Sequence, residues 1–276
     1  MWATDKDSQI CMEMTIRMTE APLAGIRVLD LTSVVVGPVC TLRLAQQGAE
    51  IIKVETPDGD LMRALGGISP TGQHSGTYLH LNRGKKGVCL DLKAYGGTEI
   101  LQRLIARSDV FVSNIRPAAL ARMQLDAETL LARKADLIHC LISGFGPGPY
   151  RGKPAYDSVL QGASGIAGLP VRRGGVPEYS PLLLCDHIVG EISAGAILTA
   201  LFQRQRTGKG SAIEIPMMET MAAFVLHEHL AQRTFRAADR RRRRHAHAQS
   251  RQPSDRDRRR LDQSHLQYRC AGGKPF

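Results

Sequence analysis

The stretch Ile26-Arg27-Val28-Leu29-Asp30-Leu31, followed by Gly37-Pro38, Val39–Gln47, Gly48 and Ala49–Glu55, decides the fold. The first run is short, largely apolar and bounded by turn residues, as a buried parallel strand requires. Gly37-Pro38 punctuates the chain, Val39–Gln47 carries a helical pattern, and Gly48 ends it. Ala49–Glu55 is the next strand. A strand, a helix and a second strand of these lengths form a β-α-β unit, whose two strands run parallel in one sheet.

Outward from this unit the alternation continues. Strands are predicted at Val88–Leu92, Val110–Ser113, Leu137–Ser143 and Ser211–Pro216. Helices are predicted at Gly96–Arg107, in short pieces after Pro117, and at Tyr156–Gly168, Ile188–Arg206 and Met217–Gln232. In Ile188–Arg206, Ala194, Ile197, Leu198 and Leu201 fall at core spacing. The pattern predicts an α/β fold, a Rossmann-like parallel sheet flanked by helices, with no internal repeat.

Three regions follow along the chain. Residues 1–21 lack periodicity and form a flexible N-terminal extension, with a second possible start at Met18. Residues 22–235 are the folded domain. Residues 236–276 hold 13 of the 37 basic and 4 of the 26 acidic side chains, which leaves the first 235 residues nearly neutral at 24 against 22. Of the net charge of +11, +9 therefore belongs to one tail, which includes the run Arg240–Arg244. That tail reads as an arginine-rich arm, a disordered extension or an out-of-frame product; with aromatic content of 5%, base stacking on nucleic acid is poorly supported. The six cysteines are scattered with no Cys-x-x-Cys pair, which fits reduced thiols and a cytoplasmic protein. No secretory signal pattern and no run of about 18 apolar residues occurs, so neither export nor a membrane span is expected.

The loop after the first strand, Thr32-Ser33-Val34-Val35-Val36-Gly37-Pro38, lacks a Gly-x-Gly-x-x-Gly turn, which argues against a dinucleotide site of the Rossmann type. It is nonetheless at the carboxyl end of a parallel strand, where open α/β sheets hold ligands. Asp186 closes the apolar run Pro181-Leu182-Leu183-Leu184-Cys185 and is expected to cap the helix Ile188–Arg206, beside free N–H groups. Burial there would raise its pKa unless hydrogen bonds stabilise the carboxylate. Asp157 either caps the helix that follows it or assists chemistry. His227 and His229 lie two apart on a helix and point to different faces, and His187 has no partner in the pattern, so no metal site is expected. Gly-x-Ser-x-Gly and P-loop patterns are absent.

Asp186 with its apolar run, Arg204-Gln205-Arg206-Thr207-Gly208-Lys209-Gly210, Leu81-Asn82-Arg83-Gly84-Lys85-Lys86, Leu90-Asp91-Leu92-Lys93, Asn114-Ile115-Arg116-Pro117 and Arg122-Met123 together resemble the family III CoA-transferases. That family includes formyl-CoA transferase, carnitine CoA-transferase and α-methylacyl-CoA racemase, and the resemblance covers residues 22–235. It implies that Val34, Val35, Leu90, Lys93, Asn114, Ile115, Arg116 and Arg122 contact coenzyme A. CoA carries phosphates, an adenine and a long pantetheine arm, and cations along a groove with apolar surface suit it. At Thr56 the sequence departs from the arginine of formyl-CoA transferase, which removes one phosphate contact. The resemblance makes Asp186 the covalent nucleophile and gives Asp157, a glutamate in formyl-CoA transferase, a supporting catalytic role.

The activity so implied moves CoA between an acyl-CoA and a free carboxylic acid through an aspartyl anhydride and an aspartyl thioester. CoA and acyl-CoA are substrates, with no tightly bound cofactor. One alternative is an acyl-CoA racemase of the same superfamily, against which Tyr156 weighs because racemases carry histidine there. The other is an inactive product, truncated or frameshifted, since family members run longer and add a small domain. At full length the family forms interlocked homodimers.

Overall fold

The computed structural model describes residues 21–230 except Gly66 and Ile68, so the N-terminal extension up to residue 20 and the arginine-rich tail lie outside the described residues. The order of elements is β1 (Arg27–Leu31), α1 (Val36–Gln46), β2 (Glu50–Glu55), a 3₁₀ turn (Leu61–Arg63), α2 (Gly76–Asn82), β3 (Lys86–Cys89), α3 (Gly97–Ala106), β4 (Val110–Ser113), α4 (Pro117–Arg122), α5 (Ala127–Arg133) and β5 (Ile138–Ser143). It continues with α6 (Asp157–Ala163), a 3₁₀ segment (Ile166–Arg173), α7 (Leu184–Thr207), β6 (Ser211–Pro216) and α8 (Met217–His229). The described residues divide into two compact units, residues 21–143 with 186–215 and residues 144–185 with 216–230.

The first unit is built on a six-stranded sheet in the order β3-β2-β1-β4-β5-β6. The pairings from β3 through β5 are parallel, with Asp30 opposite Lys53 and Leu31 opposite Ser113. Every residue of β4 and β5 is buried, because a central parallel strand has helices on both faces. One face packs Leu29, Leu31, Phe111 and Leu141 against Leu101, Ile105, Leu120 and Leu130 of α3, α4 and α5. After β1 the chain builds outward through β2 and β3, then returns to the other side of β1 for β4 and β5. The carboxyl ends of β1 and β4 therefore flank a topological switch point, where open sheets leave a crevice.

The second unit contains α6, the 3₁₀ segment and α8, with α6 packed on α8. Leu160, Met217, Met221 and Val225 are buried there.

Several expected boundaries are corrected. The first helix begins at Val36 because Pro38 falls in its first turn, where a missing N–H costs no hydrogen bond. The expected helix Tyr156–Gly168 stops at Ala163, and a 3₁₀ segment follows Gly165, which adopts φ 87°. The third strand lies at Lys86–Cys89, so Leu90–Lys93 becomes the loop at its carboxyl end. Helix α2 had no expected counterpart: it is a short helix capped by Ser75, whose side chain accepts from Tyr78 N. Helix α7 is, among the described residues, long and apolar enough to cross a membrane by length and composition, and half of that span is buried within the protein.

Candidate active site

The β1–α1 loop is held by two buried ion pairs. Asp30, fully buried on β1, accepts from Thr32 and Thr41 hydroxyls at 2.5 Å each and pairs with Lys85 at 3.2 Å. Lys85 Nζ also donates to Pro38 O, Thr41 Oγ1 and Asn82 Oδ1, so the lysine of the Leu81–Lys86 segment fastens α2 to the start of α1. Burial works to raise the Asp30 pKa, but the Lys85 and Lys53 ammonium groups and the two hydroxyls outweigh it and hold the carboxyl below the usual range. The second pair, Lys53 and Asp60, meets at 2.9 Å with both side chains 1% exposed. Nothing in the local sequence pattern marks Asp30 or Asp60. A lysine in a strand with alternating burial was the one available sign.

Around this frame stand the expected ligand residues of the first unit. Val35 is buried beside Val39, Met62, Tyr78 and Leu81, and Val34 packs against the same cluster. Leu90 is buried in the main core and Ile115 packs against it. Asn114 turns its amide back onto the β1–α1 loop, where Oδ1 accepts from Ser33 N at 3.1 Å and Nδ2 donates to Ser33 O at 2.9 Å. It therefore clips together the loops that follow β1 and β4. Arg116 and Arg122 bracket α4 just beyond β4, and Lys93 lies beyond β3. All three are exposed, and none makes an ion pair among the described residues. Thr56, at the end of β2, is also exposed. The loops at the carboxyl edge of the sheet thus carry cations that form no ion pair among the described residues, an arrangement suited to a polyanionic ligand.

Asp186 is buried, at 7% exposure, in the same unit. It is not the helix cap expected from the sequence. Helix α7 starts at Leu184, a turn earlier, because Cys185 and Val189 are both fully buried at helical spacing, and Asp186 becomes an acid of the first turn. Its position relative to the loop follows from the packing of α7 on α1. Gly190, one turn further along α7, approaches so closely that an added Cβ would lie 2.7 Å from Val36 O and 2.8 Å from Val39 Cβ. The buried carboxylate is thereby placed one helical turn from the contact with the first turn of α1.

Asp157 belongs to the second unit. It is the first residue of α6, 5% exposed, while Tyr156 occupies the capping position. Gln161, unmarked by the sequence, donates from Nε2 to Asp157 Oδ2 at 2.5 Å and to Leu182 O at 3.1 Å, while its Oε1 accepts from Ser180 N at 2.8 Å. One amide thus ties Asp157 to the segment that leads into α7. His229 meets Arg172 Nη1, and His187 is exposed.

A parallel sheet with cations at its carboxyl edge and a buried acid in the first turn of an adjoining helix defines an open α/β protein. The model of CoA-transferase family III matches residues 23–258, and the chain belongs to that family. It is 36% identical over 216 residues to succinate–glutarate CoA-transferase of Agrobacterium fabrum, covering 76% of this chain and 54% of that protein. Human succinyl-CoA:glutarate CoA-transferase is 36% identical over 208 residues, at 75% and 47% coverage. Formyl-CoA:oxalate CoA-transferase of a Bradyrhizobium strain is 39% identical over 204 residues, at 73% and 47%. Among solved structures, a CAIB/BAIF family protein from Brucella suis superposes with a TM-score of 0.73 at 34% identity, covering 79% of this chain and 59% of that one. Rv3272 from Mycobacterium tuberculosis gives 0.69 at 32% identity, covering 78% and 58%. The chain spans about half the length of the curated relatives it matches.

Proposed function

We propose that this chain carries the CoA-binding part of a CoA-transferase that moves CoA from an acyl-CoA to a free carboxylic acid, with Asp186 as nucleophile. The observation that carries this reading is the coexistence, in one compact unit, of unpaired Lys93, Arg116 and Arg122 at the sheet edge with a buried Asp186 carboxylate. The cations suit the phosphates of CoA. A desolvated carboxylate is the more reactive nucleophile toward a thioester carbonyl.

A carboxylate oxygen of Asp186 attacks the thioester carbonyl carbon, the C–S bond breaks, and CoA leaves as the thiolate. The product is a mixed anhydride. The thiolate then attacks the aspartyl carbonyl, releasing the donor acid as its carboxylate and leaving an aspartyl-CoA thioester. The acceptor carboxylate attacks that thioester and expels the thiolate, which finally takes the acceptor acyl group from the new anhydride and restores Asp186. No net proton is consumed. Asp157, held by Gln161, takes a supporting role in the reaction. Tyr156, exposed at 66%, stands where a racemase would need a histidine, which favours transfer over racemisation. Thiols at Cys40, Cys89 and Cys140 that form no disulfide among the described residues suit a reducing, cytoplasmic setting, and exposed apolar side chains suit a homodimer.

The test is to supply acyl-CoA and trap with hydroxylamine. An activated aspartyl should be found at Asp186, and Asp186→Ala should lose all transfer while keeping CoA affinity. Normal turnover in Asp186→Ala would sink the covalent route.

A further inference from the structure

The turn after β1 contains no glycine, yet Val34 sits at φ 68°. A β-branched side chain pays sterically for this left-handed conformation and keeps it only where the surroundings enforce it. Side chains enforce it here, one backbone group at a time. Asp30 Oδ1 accepts from Thr32 N at 3.0 Å, and Lys53 Nζ donates to Thr32 O at 2.9 Å. Asn114 takes both the N–H and the carbonyl of Ser33. Asp60 Oδ1 accepts from Val34 N at 3.1 Å, and it alone of these side chains bonds the strained residue.

Asp60 is itself held rigid. Its Oδ1 also accepts from Met62 N at 3.0 Å and its Oδ2 from Lys53 Nζ at 2.9 Å. Its N–H donates to Glu55 Oε2 at 2.8 Å, and Glu55 is clasped by Arg63 and Tyr78. Buried to 1% exposure, the Asp60 side chain has no access to a ligand. We infer that Asp60 is a positioning residue for acyl-CoA: through the Val34 N–H it holds the left-handed turn that presents the β1–α1 loop to CoA. This rests on the CoA-binding function proposed above. Without the Asp60 acceptor, Val34 relaxes toward extended φ, and the Val35 side chain and the first turn of α1 move with it.

An ion pair that merely stabilised the fold would look similar, so the test removes the pair in two ways. Lys53→Met with Asp60→Asn eliminates both charges but keeps an oxygen for Val34 N–H; Lys53→Met with Asp60→Leu eliminates the oxygen as well. Each is made in the 276-residue chain. Calorimetry with CoA and amide exchange at Val34 are then measured. The asparagine double should bind CoA within about threefold of the wild type, and the leucine double should bind at least about tenfold more weakly. The Val34 amide should stay protected in the first and exchange freely in the second.

Val34→Pro, which leaves the ion pair intact but removes the N–H and forbids positive φ, should show the same loss of affinity. Equal Val34 protection in the two doubles, or Val34→Pro binding CoA like the wild type, would overturn the inference. A wild-type chain that fails to bind CoA while its Val34 protection still depends on Asp60 would overturn the CoA reading and leave the hold on the turn standing.

Discussion

Asp30 lies in the middle of a sheet yet gathers two hydroxyls and an ammonium group around one carboxylate. Removing its charge leaves Lys85 buried without a counter-ion, a loss of about 3–5 kcal/mol. Asp30→Asn should therefore lower the urea midpoint by a large part of the total stability. The folded pKa of Asp30 lies below its unfolded value of about 3.9. The stability it contributes is thus present above that value and is lost as pH falls through the lower folded pKa. Glu55 acts in the same sense: burial works to raise its pKa, while hydrogen bonds from Arg63, Tyr78 and Asp60 N hold it down. Melts taken from neutral pH down to about pH 2 should show a steep acid loss in the wild type and a shallower one in Asp30→Asn. A parallel slope in both would show that other carboxylates control the acid limb. At the surface, Arg116→Gln and Arg122→Gln should each weaken CoA binding by about tenfold and flatten its salt dependence, as expected for charged groups paired with phosphate. Calorimetry at two ionic strengths reads both effects.

Helix α7 sets the position of the candidate nucleophile through its packing on α1. The element could be read from the sequence, but its start could not: an apolar run before Asp186 looks the same whether it belongs to a loop or to the first helical turn. Burial of Cys185 and Val189 decides the matter. The close approach at Gly190 is equally invisible without coordinates. In isolation, Gly190→Ala would gain about 1 kcal/mol of helix propensity. Here the new Cβ would meet Val36 O at 2.7 Å, a backbone atom that cannot yield, so overpacking of about 1–3 kcal/mol should prevail. A lower melting temperature for Gly190→Ala is the expected outcome, and an unchanged or higher one would mean that the two helices part at little cost.

Among the described residues Phe202 is 62%, Phe224 51%, Leu182 64% and Leu226 43% exposed. Exposed aromatic and aliphatic side chains of this size favour association between copies, so the chain should self-associate. Sedimentation velocity across a range of concentrations should show this, and Phe202→Ser with Phe224→Ser should reduce it while changing the melting temperature little. By itself the sequence determined the strands, the longer helices and the parallel sheet, because hydrophobic period and turn residues act over a few neighbours; the short helix α2 and the 3₁₀ segment after α6 escaped it. It also carried Asp186, Lys93, Arg116 and Arg122 in recognisable segments. The tertiary structure alone decided which backbone groups those segments hold. Ser33 finds Asn114 81 residues away, and Val34 finds Asp60 26 residues away. Such partners are chosen by where parallel strands end side by side in space, which no local pattern records.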